Sequence, residues 1–112
     1  MDFWGSLDKL MRDNVLVIDR PQGSAHPRCP DFMYPVDYGY LEGTKSGDGQ
    51  GIDVWKGTQS DGKVQAILVA LYMIKKDVEI KLVVGCTDEE MKTLHSCSNA
   101  FSQSSMLVKR NG

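Results

Sequence analysis

Tyr34-Pro35-Val36-Asp37-Tyr38-Gly39-Tyr40-Leu41-Glu42-Gly43-Thr44-Lys45-Ser46-Gly47-Asp48-Gly49-Gln50-Gly51-Ile52-Asp53-Val54-Trp55 is the stretch on which the reading of the fold turns. Its first seven residues hold three tyrosines and a proline, a composition that favours extended backbone. From Gly43 to Gly51 the chain is polar and glycine-dense, a loop with positions suited to positive φ. Ile52 to Lys56 then reads as a short strand. Further along, Gly57 to Gly62 contains an Asp-Gly hairpin signal. Val64 to Ile74 and Val78 to Val84 follow as two apolar strands around the turn Lys75-Lys76-Asp77, an expected antiparallel pair.

Upstream, Val15 to Ile18 is a β-branched run ended by Asp19-Arg20-Pro21, a strand with a proline stop. Pro21 to Pro35 holds four prolines and reads as loop or edge strand. Loops of that length in small proteins are functional or disordered. Phe3, Leu7, Leu10 and Met11 recur at helical spacing, predicting a helix over residues 3 to 12. Thr87-Asp88-Glu89-Glu90 has the spacing of a capping box, predicting a second helix from 88 to 97 before a serine-rich stretch. Met106 to Val108 is a last short strand. The expected class is α+β, mainly β: about five strands in a small barrel or sheet, with a helix near each end.

The 112 residues carry 13 basic and 15 acidic side chains, a formal charge of −2, with 41% hydrophobic and 25% charged content. Such a chain can bury a core without a disulfide or metal staple, and its composition is that of a folded protein. A single domain over residues 1–112 is expected. The charge balance argues against avid nucleic-acid binding and leaves room for a local cationic pocket. Cys29, Cys86 and Cys97 lack a CxxC spacing and make neither a disulfide framework nor a zinc site, so a reduced, cytoplasmic setting is expected. The N-terminal residues mix charges into their apolar positions, unlike a signal peptide. The longest apolar run, Ala66 to Ile74, is about half of what a membrane helix needs. No membrane partner is expected.

Asp48 and Asp53 set two carboxylates five residues apart across small, flexible positions. Hard cations such as magnesium take oxygen ligands, and a turn entering a strand can aim both at one ion. Taken alone, that signal is weak, and the same residues read more simply as turn chemistry at Asp48-Gly49 and a solubilising strand end at Asp53. In its full setting the string from Tyr34 to Trp55 resembles the core signature of the soluble inorganic pyrophosphatases of the first family. There a Tyr-Pro-x-x-Tyr-Gly-Tyr segment leads into a glycine loop and Asp-Gly-Asp-Pro-hydrophobic-Asp. A thinner match runs through residues 15–21 and 77–84.

That resemblance implies an OB-like five-stranded barrel and a magnesium-dependent hydrolase of pyrophosphate or a related small phosphate compound. Asp48 and Asp53 match metal-ligating aspartates, and Glu79 falls at a third metal-ligand position. Tyr38 matches a tyrosine of the active site, and Tyr34 the one that opens the segment. Lys81 and Arg28 would contact phosphate. Asp19 stands where the family has a glutamate near the site. On residue pattern alone, Glu79 and Lys81 also fit a solvated strand face. His26 and His95 read as surface residues, Cys29 as a loop thiol or an inert small residue, and Trp4 and Trp55 as core or interface aromatics.

Several positions depart from the family pattern. The central aspartate, assigned there to activating water, is Gln50, whose carboxamide can hold a water but cannot accept its proton. The neighbouring proline is Gly51, Asp77 is the one candidate for a further aspartate near residue 77, and the C-terminal Tyr-Lys phosphate pair finds no match in residues 100–112. Relative to the family the chain is short at the loop before Tyr34, at the turn near Asp77 and at the C-terminus. Three readings follow: a phosphohydrolase using Gln50 and Tyr38, a non-catalytic module binding metal and phosphate or nucleotide, and a self-associating structural domain. On the first, Gln50→Asp restores the missing acid and raises phosphate release from pyrophosphate by on the order of 10²-fold, the usual worth of a general base; an unchanged rate would mean that more than this one acid is missing.

Overall fold

The computed structural model of the chain describes residues 2–100 and 102–110. Its elements are α1 (Phe3–Asp13), β1 (Leu16–Arg20), β2 (Asp37–Leu41), β3 (Ile52–Lys56), β4 (Val64–Tyr72), β5 (Asp77–Val84), α2 (Asp88–Cys97) and β6 (Gln103–Lys109). They form one six-stranded sheet in the order β1-β2-β3-β5-β4-β6. Neighbours are antiparallel except β3 and β5, which run parallel with Val54 opposite Leu82 and Trp55 opposite Val83.

The class is the expected α+β, mainly β, but the five-stranded closed barrel is corrected to six strands in an open sheet. β1 and β6 are its two ends, and among the described residues no ladder joins them. β6 is longer than the expected Met106 to Val108 because it zips along all of β4, from Ala66 opposite Lys109 to Tyr72 opposite Gln103. Ser104 and Ser105 are thereby drawn into a strand that their own propensity does not announce. Phe101, Asn111 and Gly112, part of the C-terminal stretch that lacks the phosphate pair, lie outside the described residues, as does Met1.

Strand alternation sorts the core into two faces. On one, Tyr38, Trp55, Ala66, Leu68 and Val83 pack with Tyr34 and Val36 and with Met91 and Leu94 of α2. On the other, Leu41, Val54, Val64, Leu82 and Val84 are covered by Trp4, Leu7, Leu10 and Met11 of α1. A register shift between Val64 and Ala66 sends these two residues to opposite faces. Asp8 anchors α1, accepting from the Val64 N–H at 2.9 Å and pairing with Arg110 at 2.9 Å. At α2 the capping box forms as expected, and Glu90 also accepts from the Thr58 N–H at 3.2 Å, fastening the helix to the segment after β3.

The proline-rich segment before β2 is ordered by its own backbone bonds. Ala25 bridges Met33, the Gly23 N–H donates to the Tyr34 carbonyl at 2.8 Å, and the Tyr34 N–H donates to the Ser24 carbonyl at 2.9 Å. This double bond delivers Tyr34 and Val36 beneath the sheet face. β1 crosses β2 very closely at Gly39, where a Cβ would sit 1.8 Å from the Val17 carbonyl oxygen. Only glycine fits there, which gives the central glycine of the Tyr-Gly-Tyr triplet a structural reason. Gly39→Ala should therefore cost about 3 kcal/mol, at the upper end for overpacking, read as a lower urea midpoint; a loss within error would contradict the seating of β1 on β2.

Candidate functional site

The face that α2 covers is polar beyond the reach of that helix. Register sets Tyr40 opposite Asp53, Leu68 opposite Lys81 and Ala70 opposite Glu79. Alternation then turns Tyr38, Asp53, Tyr72, Glu79 and Lys81 to the same side, where they line a cleft of about 580 Å³. Asp19, Arg28, Asp48 and Gln50 reach the same cleft from the end of β1 and from two loops. The residues singled out in the sequence as catalytic, phosphate-binding or metal-ligating thus lie on one surface. Asp77 does not line it and pairs with Lys75 at 3.8 Å.

Lys81 is the most constrained group of the site. It is 7% exposed. Its ammonium donates to the Tyr38 hydroxyl at 2.7 Å, stands 4.0 Å from the Asp53 carboxylate, and lies 4.9 Å and 5.4 Å from the ring centres of Tyr38 and Tyr72. Burial lowers the lysine pKa, while Asp53 and Glu79 hold it up. Burial likewise raises Asp53, with Lys81 and the Tyr38 hydroxyl pulling it back down. Tyr38 itself is pushed far up by burial and by the Asp53 charge, so it stays a neutral phenol. An ammonium has three donors. One is committed to Tyr38, and at 4.0 Å Asp53 is an ionic neighbour rather than a hydrogen-bond acceptor.

The three carboxylates offered as metal ligands are oxygen donors of the right kind for a hard cation. They are engaged separately, however. Asp48 accepts from the Ser46 hydroxyl and from the Gln50 N–H at 2.9 Å, and the Ser46 bond leads in holding its pKa down. Glu79 pairs with Lys75 at 3.1 Å. Asp53 faces Lys81. Among the described residues no three histidine, cysteine or carboxylate groups converge on one position. The residues as arranged do not make a resident metal centre.

Several cleft residues were not marked by the sequence. Arg20 donates to the Tyr34 hydroxyl and lies 5.6 Å from the Tyr34 ring centre and 6.0 Å from that of Tyr38. Simple alternation from Ile18 does not announce it, because a register shift between Ile18 and Arg20 turns Arg20 to the cleft side opposite Tyr38. Tyr72 follows Leu68 and Ala70 at steps of two, and Lys75 lies 4.2 Å from its ring centre. His26 is half-buried and stacks on Tyr34 with ring centres 6.2 Å apart. This corrects its reading as a surface residue. Its pKa is lowered by burial and by Arg20, Arg28 and Lys81, and its Nδ1 accepts from the Arg28 N–H at 3.0 Å. Trp55 packs 4.6 Å from Tyr38 between ring centres, and its indole N–H is buried with no partner among the described residues.

Four cations, Arg20, Arg28, Lys75 and Lys81, and four carboxylates, Asp19, Asp48, Asp53 and Glu79, share the cleft. Its formal charge balances before His26 is counted.

The open mixed sheet and its two helices have the fold of a solved structure. In particular, the chain is similar to the crystal structure of an inorganic phosphatase from Anaplasma phagocytophilum, with a TM-score of 0.58 over 84% of this chain and 81% of that one. Sequence identity is 13%, so the likeness is one of fold. No family model and no curated protein matches the sequence.

The coupling of Lys81 to Asp53 has a definite sign. Lys81→Met removes the charge that holds Asp53 down, so burial lifts its pKa further above the unfolded value of about 3.9. Between those two values the folded state binds the extra proton, and stability in this variant should fall as pH rises through that window. Carboxyl-carbon NMR titration of Asp53 together with urea melts across the same range checks both; an Asp53 titration unmoved by the substitution would show that the two charges do not interact.

Proposed function

We propose that residues 1–112 form a single pyrophosphatase-like domain whose cleft binds pyrophosphate or a related phosphoanhydride as its magnesium complex and hydrolyses it. The observation that carries this reading is the Lys81 ammonium, buried against Tyr38 and Asp53 with donors to spare at the head of a cleft shared with Arg20 and Arg28. The balanced charge of the cleft supports a ligand that brings its own cation. Magnesium bound through one or two carboxylates plus substrate phosphates is the usual arrangement for this ion, in place of an all-protein cage. Held so, it would neutralise charge on the phosphate oxygens.

The chain's own residues then divide the work. Lys81 and Arg28 contact phosphate, and Arg20 and Lys75 add positive charge along the wall. The neutral Tyr38 hydroxyl accepts from Lys81 and fixes its position. Asp48, Asp53 and Glu79 are the oxygen donors that would hold a cation entering with the ligand, with Glu79 exchanging its present partner Lys75 for it. Gln50 orients a water by hydrogen bonds. Attack of that water on one phosphorus breaks the bridging P–O bond and gives two phosphates. Because a carboxamide takes no proton, the water's proton passes to a phosphate oxygen of the substrate.

A reducing, cytoplasmic site of action belongs to the proposal. It is supported by three free cysteines, of which Cys29 is exposed and Cys86 is buried with its thiol pushed up to about 11. No helix among the described residues is long and apolar enough to cross a membrane. A second reading, a module that binds such ligands without turnover, is favoured by Gln50 and by the separately engaged carboxylates.

Phosphate release from magnesium pyrophosphate separates the two readings. Hydrolysis is expected, falling by on the order of 10²-fold in Asp53→Asn and in Lys81→Met, the scale of losing one charge-stabilising group. An unchanged rate in Asp53→Asn would remove that residue from the site. Calorimetric binding of magnesium pyrophosphate with no phosphate released would establish the module, and absence of both would defeat the proposal.

A further inference from the structure

The β4–β5 turn, Met73 to Lys76, carries a lysine into the cleft rather than away from it. Lys76 closes the turn at φ 54°, a left-handed conformation that residues with a side chain rarely adopt. Beside it the Lys75 ammonium lies over the Tyr72 ring, 4.2 Å from its centre, and stands 3.1 Å from the Glu79 carboxylate and 3.8 Å from that of Asp77. Register places Tyr72 opposite Asp77, and Glu79 shares their side of the sheet at a step of two. A ring face and two carboxylates make a corner suited to a cation, and the chain fills it with its own ammonium.

The two lysines that face cleft carboxylates are held differently. Lys81 is buried against the Tyr38 hydroxyl beside Asp53. Lys75 leaves 57% of its side chain in water, against 14% for Glu79. Its stem is flexible and its pair with Glu79 is partly solvated, so the ammonium can swing away at little cost. Its charge also reaches its neighbours: behind the Ser46 and Gln50 bonds it helps hold Asp48 below the usual carboxylate value, and behind burial it helps lower Lys81. A divalent cation arriving alone meets that charge at the very carboxylate it needs. We propose that Lys75 is a tethered counter-ion, whose ammonium keeps the place at Glu79 that a divalent cation would take and so closes the cleft to a bare cation. A phosphate ligand gives the displaced ammonium another oxygen to turn to, and the cation then enters with the phosphate rather than ahead of it. That last step rests on the reading of the cleft as a phosphate site, whereas the exclusion of a bare cation does not.

Manganese(II), which takes the same carboxylate oxygens as magnesium, tests this when titrated alone against the full chain, with the free ion read by electron paramagnetic resonance. Lys75→Gln should lower its dissociation constant by about tenfold, the scale of one unit charge close to a dication at a partly exposed site. Lys76→Gln removes the same net charge from the next residue and should change it by less than about twofold, as for a solvated charge with no partner. Adding Glu79→Gln to Lys75→Gln should return the affinity to the wild-type value. Lys75 and Lys76 are both exposed, so their comparison keeps the test valid if the Glu79 variant fails to fold, with circular dichroism confirming the folded state. An affinity unchanged in Lys75→Gln overturns the proposal. A gain that Lys76→Gln matches would report net charge alone and overturn it equally, as would a gain that survives in folded Lys75→Gln/Glu79→Gln. No phosphate is present in this titration, so its failure is distinct from a failure to bind or hydrolyse magnesium pyrophosphate.

Discussion

Holding the Lys81 ammonium out of water is the constraint to which the polar half of the structure answers. Removing an ammonium from water costs several kcal/mol even after relaxation, unless its surroundings return hydrogen bonds and opposite charge. Here β2 returns a phenol, β3 a carboxylate, and β4 the face of Tyr72. Those three strands therefore have to arrive in one register. Gly39 makes part of that register possible, since a larger residue would keep β1 from closing over the strand that carries Tyr38. The compensation is incomplete by one hydrogen-bonding neighbour, because Asp53 stands too far away to accept a bond.

The two faces of the sheet divide the labour. Charged and aromatic groups collect on the side where α2 stops short, and apolar groups on the side where α1 stops short. Strand alternation alone produces this split in β5, where Val78 and Ile80 point one way and Glu79 and Lys81 the other. The hairpin that presents the lysine thus also presents Val78 and Ile80, both exposed, behind it. On the cleft side, charge is balanced within a small volume, so ligand charge has to be met by rearranging existing ion pairs, such as Lys75 with Glu79, or by a cation that enters with the ligand.

Local pattern carried much of this structure. The helix around Leu7 and Leu10, the capping box at Thr87 and Glu90, and the strands through Val17, Val54, Leu68 and Leu82 all follow from spacing and propensity. The string from Tyr34 to Trp55 identified one wall of the cleft because its residues are close in sequence as well as in space. What escaped was set by distant pairing. Ser104 and Ser105 become strand only because β4 has an open edge, and the parallel pairing of β3 with β5 leaves no local trace. Arg20, Tyr72 and Lys75 enter the cleft through registers that no short window contains. His26 was read as exposed because its stacking partner, Tyr34, is brought to it by backbone bonds across a proline-rich excursion. The barrel expected from the family resemblance opens into a sheet because β6 spends its pairing on β4 alone.

The parallel pairing of β3 and β5 also bears on how the molecule is made. It is the seam between β1-β2-β3, a meander of successive strands, and the half of the sheet built on the β4–β5 hairpin. Contacts within the β1-β2-β3 meander and within the β4–β5 hairpin close shorter loops, whereas the seam, like the pairing of β6 with β4, must close a longer one at a higher entropic cost. Non-local pairings of this kind are the slow ones in folding. Asp53 lies on one side of the seam and Lys81 on the other. Neither half alone can assemble the charged pair, and a nascent chain that has made only β1 to β3 presents Asp53 to water as an ordinary carboxylate. The site therefore comes into being only when the two halves dock, and any ligand that bridges the pair ties them together across a non-local joint of the sheet.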